Sequence, residues 1–376
     1  QEAWEKLLEL HEVQLHFVTD RDERVRLMHR MAEIAEDRLA DGGLAFTCFQ
    51  RALLESPLDE QSLGDCERLA GLLGEWDVLA DSYASAIERN ADVEARVEVG
   101  RRLARVYEEE LGDVARAEEA HRFVLGVAPT NEETLVALDR IYVASGAHEA
   151  LVDILRRRIA VAANKDDQIE LMYRLGHVLE DDLQRTEDAI ATYRKLLEEL
   201  DGEHLDSIRA LEAIYTRKHD WQNLSAAFEK ELAVVFGDTQ RAELLARMAR
   251  LADERLQDPT RAVALWRQVL EIRGEDLEAL NAIGTILARQ ENWRDLVDIL
   301  EREAEEARAQ GNDDLCIQIY SDLGRIWYGK LQREQSALEA WERVLEIDGT
   351  RMEALFQIAE IHRTAKQWSD VTNTLH

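Results

Sequence analysis

Apolar residues fall along this chain in helical stripes of one recurring length. Between residues 24 and 61, Leu27, Met28, Met31, Ala32, Ile34 and Ala35 form a stripe of period 3.6, as in a helix with one buried face. Asp41-Gly42-Gly43 is expected to break it. Leu44, Ala45, Phe49, Ala52 and Leu53 then mark a second helix, with Pro57 beyond its end. Residues 62–95 repeat the plan in shorter form. Leu63, Cys66, Leu69 and Ala70 mark one helix, Gly74-Glu75-Trp76 a turn, and Leu79, Tyr83, Ala86 and Ile87 a second helix.

This alternation of long and short helix pairs recurs. Residues 96–133, 169–206, 241–278 and 316–353 match the long unit, and 134–168, 207–240 and 279–315 the short one. Trp-x-x-Leu opens the second helix of the short units at Trp4, Trp76, Trp221 and Trp293, with Trp368-Ser369-Asp370-Val371 as a fifth copy. The gaps from 4 to 76 and from 221 to 293 are each 72 residues, and His148 takes the tryptophan's place midway through the double gap. A fixed period of this size predicts a solenoid. Residues 1–23 read as a partial repeat, its second helix alone, and 24–376 as one continuous array ending in a truncated repeat. The indoles are expected to be buried at the seams between pairs, each worth on the order of 3–5 kcal/mol.

These residues resemble the tetratricopeptide repeat family. Its small residue where the two helices cross is matched by Ala32, Ala104, Gly176, Ala249 and Gly324. The second small residue is matched by Ala45, Ala117, Ala189, Ala262 and Ala337. The ring four positions later is matched by Phe49, Tyr193, Trp266 and Trp341, with His121 the exception. Short units depart from the pattern, with Glu67, Asp139 and Glu212 at the crossing, then Gly284 and Ala359. A buried acid needs a partner. The resemblance implies an all-α, right-handed superhelix of helix–turn–helix repeats whose first helices line a groove for partner segments. The Lys and Asn clamp of chaperone-binding members is missing, since His29 and Glu33, or Arg101 and Arg105, stand there.

Composition supports helix nearly throughout, with 3 prolines in 376 residues. The formal charge of −32 disfavours nucleic acid and anionic membrane surfaces, and with them an RNA-binding helical repeat. No run of 18 apolar residues is present, so no membrane insertion is expected. Cys48, Cys66 and Cys316 show no metal or redox spacing, which fits a reducing, cytoplasmic setting. Gly-rich phosphate loops, His-Glu-x-x-His and Gly-x-Ser-x-Gly are all missing, so no catalysis and no cofactor are expected.

Function is therefore expected on the surface that stacking creates. Acidic pairs recur near the ends of the long units' first helices: Glu36-Asp37, Glu108-Glu109, Glu180-Asp181 and Asp253-Glu254. A basic row runs beside them through Arg68, Arg101, Arg105, Arg140, Arg250 and Arg325. The two rows are read either as pairing with each other or as gripping a partner. The chain is thus expected to be a non-catalytic protein-interaction scaffold for a basic or helical segment. Its candidate contacts are Glu108, Glu109, Glu180, Asp181, Asp253, Glu254, Arg101, Arg105 and Arg140. The period also resembles very long bacterial arrays of gliding-motility and cell-polarity machines. That likeness implies a fragment of a longer array and a small Ras-like GTPase or motor adaptor as partner. The alternative class is the regulatory arm of an enzyme whose catalytic domain lies elsewhere in the protein.

Overall fold

A computed structural model of the chain describes residues 2–367, and every regular element among them is helical. The fifth Trp-x-x-Leu copy, at Trp368, lies outside the described residues. The helices form two compact units, one ending at Leu196 and the other starting at Leu197, each an α-solenoid of helical repeats.

In the first unit the half-repeat Glu2–Phe17 precedes four pairs: Arg21–Leu39 with Gly42–Glu55, Glu60–Leu73 with Trp76–Arg89, Val93–Arg105 with Val114–Val127, and Glu132–Ser145 with His148–Val161. Lys165–His177 and Thr186–Lys195 follow. The second unit pairs Leu205–Lys218 with Trp221–Val234, Asp238–Glu254 with Pro259–Arg273, Leu277–Arg289 with Trp293–Ala309, and Asp313–Gly329 with Glu334–Ile347, before Met352–Thr364.

The long units' first helices begin three or four residues before the unit boundaries read from the repeat. Polar caps set the true start. Asp20, Asp92, Asn164 and Asn312 accept from the backbone N–H groups of Glu23, Glu94, Asp167 and Leu315. These helices also end alike. Ala40, Gly112, Gln184, Gln257 and Gln332 all take left-handed φ between 54° and 64°. The next N–H then bonds back six residues, from Asp41 to Ala35 and from Asp258 to Ala252, each at 2.9 Å. Asp41-Gly42-Gly43 is therefore not the break. Ala40 makes the turn, Asp41 caps the next helix through Leu44 N–H, and the glycines are its first residues.

At the crossings, ring and small residue fit as a pair. Phe49, Tyr193, Trp266 and Trp341 are buried, as are Ala32, Ala104 and Ala249. A Cβ on Gly176 would lie 2.6 Å from Tyr193 Cζ, and one on Gly324 would lie 2.5 Å from Trp341 Cε2. No side chain larger than hydrogen fits beneath those two rings.

The tryptophan stripe is only half as buried as expected. Trp4 is 38% exposed, and Trp76, Trp221 and Trp293 are half-buried. A cation covers three of these four rings: Arg38 lies 5.3 Å from the Trp4 centroid, Arg255 5.1 Å from Trp221, and Lys330 4.8 Å from Trp293. Each cation comes from the end of the following first helix, so the rings do mark the seams. The indole offers one face to the pair and the other to a solvated side chain.

The acids at the short-unit crossings are partnered by one rule. The arginine 35 positions later, on the next first helix, reaches back to each. Arg102 meets Glu67 at 2.9 Å, Arg174 meets Asp139 at 2.9 Å, and Arg247 meets Glu212 at 3.1 Å. Where the acid becomes Gly284, the equivalent place on the next first helix, two residues before Gly324 and 38 after Gly284, holds Asp322. The departure from the family pattern is thus a coupled substitution that ties three of the short units to the long unit after each.

Candidate functional site

Five of the nine candidate residues meet in one pocket of the first unit. Arg101, Arg105, Glu108, Glu109 and Arg140 line a cavity of about 220 Å3, with Arg102 and Glu98 beside them and His121 against its inner wall. The helix Val93–Arg105 supplies the first two arginines, and Glu132–Ser145 supplies Arg140. Between them the chain widens into a π-helical turn, Val106–Glu110, which carries both glutamates.

The arginines are already engaged. Arg140 bonds Glu108 at 2.5 Å, and Arg105 bonds Glu67 at 3.0 Å. Arg102 bonds Glu98 at 2.8 Å, while Arg101 pairs with Glu133 and lies 3.3 Å from Glu98. Acidic and basic rows therefore do pair across neighbouring helices, as also between Glu36 and Arg68 at 2.7 Å and between Asp253 and Arg289. Within each acidic pair the first residue is half-buried and the second exposed. Arg140 and Arg105 still show 67% and 51% of their side chains to solvent, with donors to spare.

His121 differs from these groups. It occupies the ring position of the crossing, is 7% exposed, and has no hydrogen bond to either ring nitrogen. Burial, and then the nearby Arg140 and Arg101, push its imidazole down to about 4. It is neutral at physiological pH, with one donor and one acceptor unused.

The remaining candidates lie apart from this pocket. Glu180 and Asp181 sit in a second π-helical turn, Val178–Asp182, where Asp181 meets His177 at 3.1 Å. Asp253 and Glu254 line a cavity of about 490 Å3 in the second unit with Arg250, Glu278 and Trp266. Sequence reasoning passed over His121 as an exception to a ring column. That exception, one polar ring among Phe, Tyr and Trp, was the available signal. Among the described residues no cluster of His, Cys, Asp and Glu is arranged to hold a metal, and no helix is long and apolar enough to cross a membrane.

Residues 169–199, the helices on either side of the second π-helical turn, match the tetratricopeptide repeat family model. The chain carries a tetratricopeptide repeat. Gly176, Ala189 and Tyr193 lie within the matched repeat, and the other long units fill the same positions in kind, His121 apart. Solved structures with similar helix pairs include the C-terminal part of a TPR repeat-containing protein from Cytophaga hutchinsonii, 17% identical over 75% of this chain and 98% of that one, at TM-score 0.33. Another is YrrB, described as a TPR protein with an unusual peptide-binding site, 21% identical over 52% of this chain and 94% of that one, at 0.32. A chain of the Naa15/Naa10 complex bound to HypK-THB is 12% identical at 0.40, and the repeats here cover 93% of this chain and 62% of that one. No curated protein sequence matches the chain.

Proposed function

We propose that the chain is a non-catalytic scaffold that holds a segment of a protein partner, with the pocket at His121 as one contact point. The imidazole carries this reading. A buried polar ring with no partner costs stability, on the order of 1–3 kcal/mol. Its sister positions show that Phe, Tyr or Trp fits the same space. The two ring nitrogens point in divergent directions and neither is open to solvent, so an amide of a bound segment satisfies one of them at a time, and only once the pocket opens to admit it. Arg105 and Arg140 at the rim are placed to take a carboxylate of the same segment. No hydroxyl, thiol or carboxylate bonds the ring, so the pocket holds no nucleophile–base pair built on it. Partners of the small Ras-like GTPase or motor-adaptor class, and a motility setting, are carried by resemblance alone.

His121→Phe tests the proposal. It keeps the crossing filled and removes the two unmet nitrogens, so thermal unfolding should show equal or greater stability. Affinity capture from the source lysate should nevertheless lose partners that the parent chain retains. Identical capture by both baits would remove the pocket from the binding surface.

A further inference from the structure

The second unit repeats the acid link of the first with one charge reversed. In the first unit Asp139 sits between two guanidiniums, Arg174 from the next first helix and Arg158 from its own pair's second helix. In the second unit Glu212 stands for Asp139 and Arg247 for Arg174, while Arg158's position is taken by Glu231. A carboxyl that elsewhere meets a guanidinium here meets another carboxyl. Both side chains are more than nine-tenths buried, at 7% and 6% exposure. Glu212 Oε1 and Glu231 Oε2 accept no hydrogen bond from the protein, and both residues line an open cavity of about 740 Å3.

Charged groups face the pair from three helices. Leu205–Lys218 contributes Arg209, which bonds Glu231 Oε1 at 2.9 Å, and Arg217. Asp238–Glu254 contributes Glu243 and Arg247, whose Nη1 lies 3.8 Å from Glu231 Oε2. Trp221–Val234 contributes Glu231 itself. Burial, and then the facing Glu231, push the Glu212 carboxyl up to about 7, so near neutrality about half of the Glu212 carboxyls hold a proton. The proton fills the place where the same architecture packs a guanidinium at Asp139.

We propose that Glu212 and Glu231 form a socket for one cationic side-chain group, a guanidinium above all, carried on a segment of a bound protein. Binding displaces the Glu212 proton wherever it is held, and the two facing oxygens, which accept nothing from the rest of the protein, gain guanidinium donors. Arginine's planar fork suits two carboxylates better than a lysine ammonium does. The chain's −32 charge draws basic segments toward it. That the carrier is a protein rests on the scaffold reading above; the socket itself does not.

Calorimetric titration of the full chain with argininamide near pH 7, in two buffers of different ionisation enthalpy, reads the socket without a partner. One saturable site of about millimolar affinity or tighter is expected, with proton release. Citrullinamide, which keeps the α-ammonium and replaces only the guanidinium with a neutral ureido group, should not bind. Glu231→Gln and Glu212→Gln should each lower affinity more than about tenfold and abolish the proton release. Circular dichroism confirms folding of both variants, and Glu170→Gln, exposed on the first-unit helix Lys165–His177, should bind as the parent does. No saturable argininamide binding, or unchanged affinity in both folded pair variants, overturns the socket. The His121→Phe capture is read separately, so either proposal can fail while the other stands.

Discussion

Gly176 shows how a single hydrogen atom decides a crossing. Helix propensity alone predicts that Gly→Ala in mid-helix stabilises by about 1 kcal/mol. At Gly176 the added methyl would collide with the buried Tyr193 ring, a rigid group with nowhere to move. Overpacking of that kind costs about 1–3 kcal/mol. Gly176→Ala should therefore lower stability in chemical denaturation. Gly64→Ala is the control: it lies inside the helix Glu60–Leu73 with open space around its would-be Cβ, and should gain about 0.5–1 kcal/mol. The small-residue column was legible in the sequence because packing repeats with the period. Which members must be glycine was not, because that depends on the size of the opposing ring.

At the scale of the helix, the repeat period located the helix pairs, but not the π-helical turns, and the ends came from residues the stripes do not include. The left-handed turns at Ala40, Gln184, Gln257 and Gln332 lack the glycine that signals such a turn, so the sequence hid them. Non-glycine residues there carry a strain of about 1 kcal/mol each. Gln257→Gly should relieve much of it and raise the thermal midpoint, whereas a fall would show that the Gln257 side chain's bonds to the carbonyls of Asp253 and Glu254 outweigh the strain. The indoles teach the opposite lesson. Their period was plain, but the depth of each ring was set by a cation from another helix. Trp221→Ala should cost on the order of 1–2 kcal/mol, the loss of a half-buried ring and its Arg255 contact, and not the full-burial figure.

Across the whole molecule, the carboxyls that burial raises all lie in the second unit among the described residues. In the first, His121 is held down to about 4 by burial, Glu36 is lowered by its bond to Arg68, and Asp113 is lowered by the backbone N–H of Arg116. Groups lowered on folding lend stability above their ordinary values and lose it as pH falls, for His121 between 6.5 and about 4. In the second unit Glu212, Glu301, Glu303 and Asp322 are raised by burial, while the Thr350 hydroxyl lowers Asp348. The raised groups lend stability at low pH and lose it as pH rises, for Glu212 between 4.5 and about 7. Amide hydrogen exchange, corrected for its intrinsic rate, should show helices up to Leu196 better protected at about pH 7 than at about pH 4.5, and those beyond it the reverse. Parallel responses in both units would refute the assignment. Charge totals gave no hint of this split, because it depends on which acids are buried and not on how many there are.

The 35-residue reach of the acid–arginine link constrains how such a gene can change length. Unequal crossing-over that inserts or deletes a double repeat leaves each linked crossing acid opposite its arginine. An insertion of one helix pair places like against like and strands an acid, unless both positions change together as at Gly284 and Asp322. The heritable module is the pair of pairs, so homologous arrays should differ in steps of about 72 residues rather than of about 36.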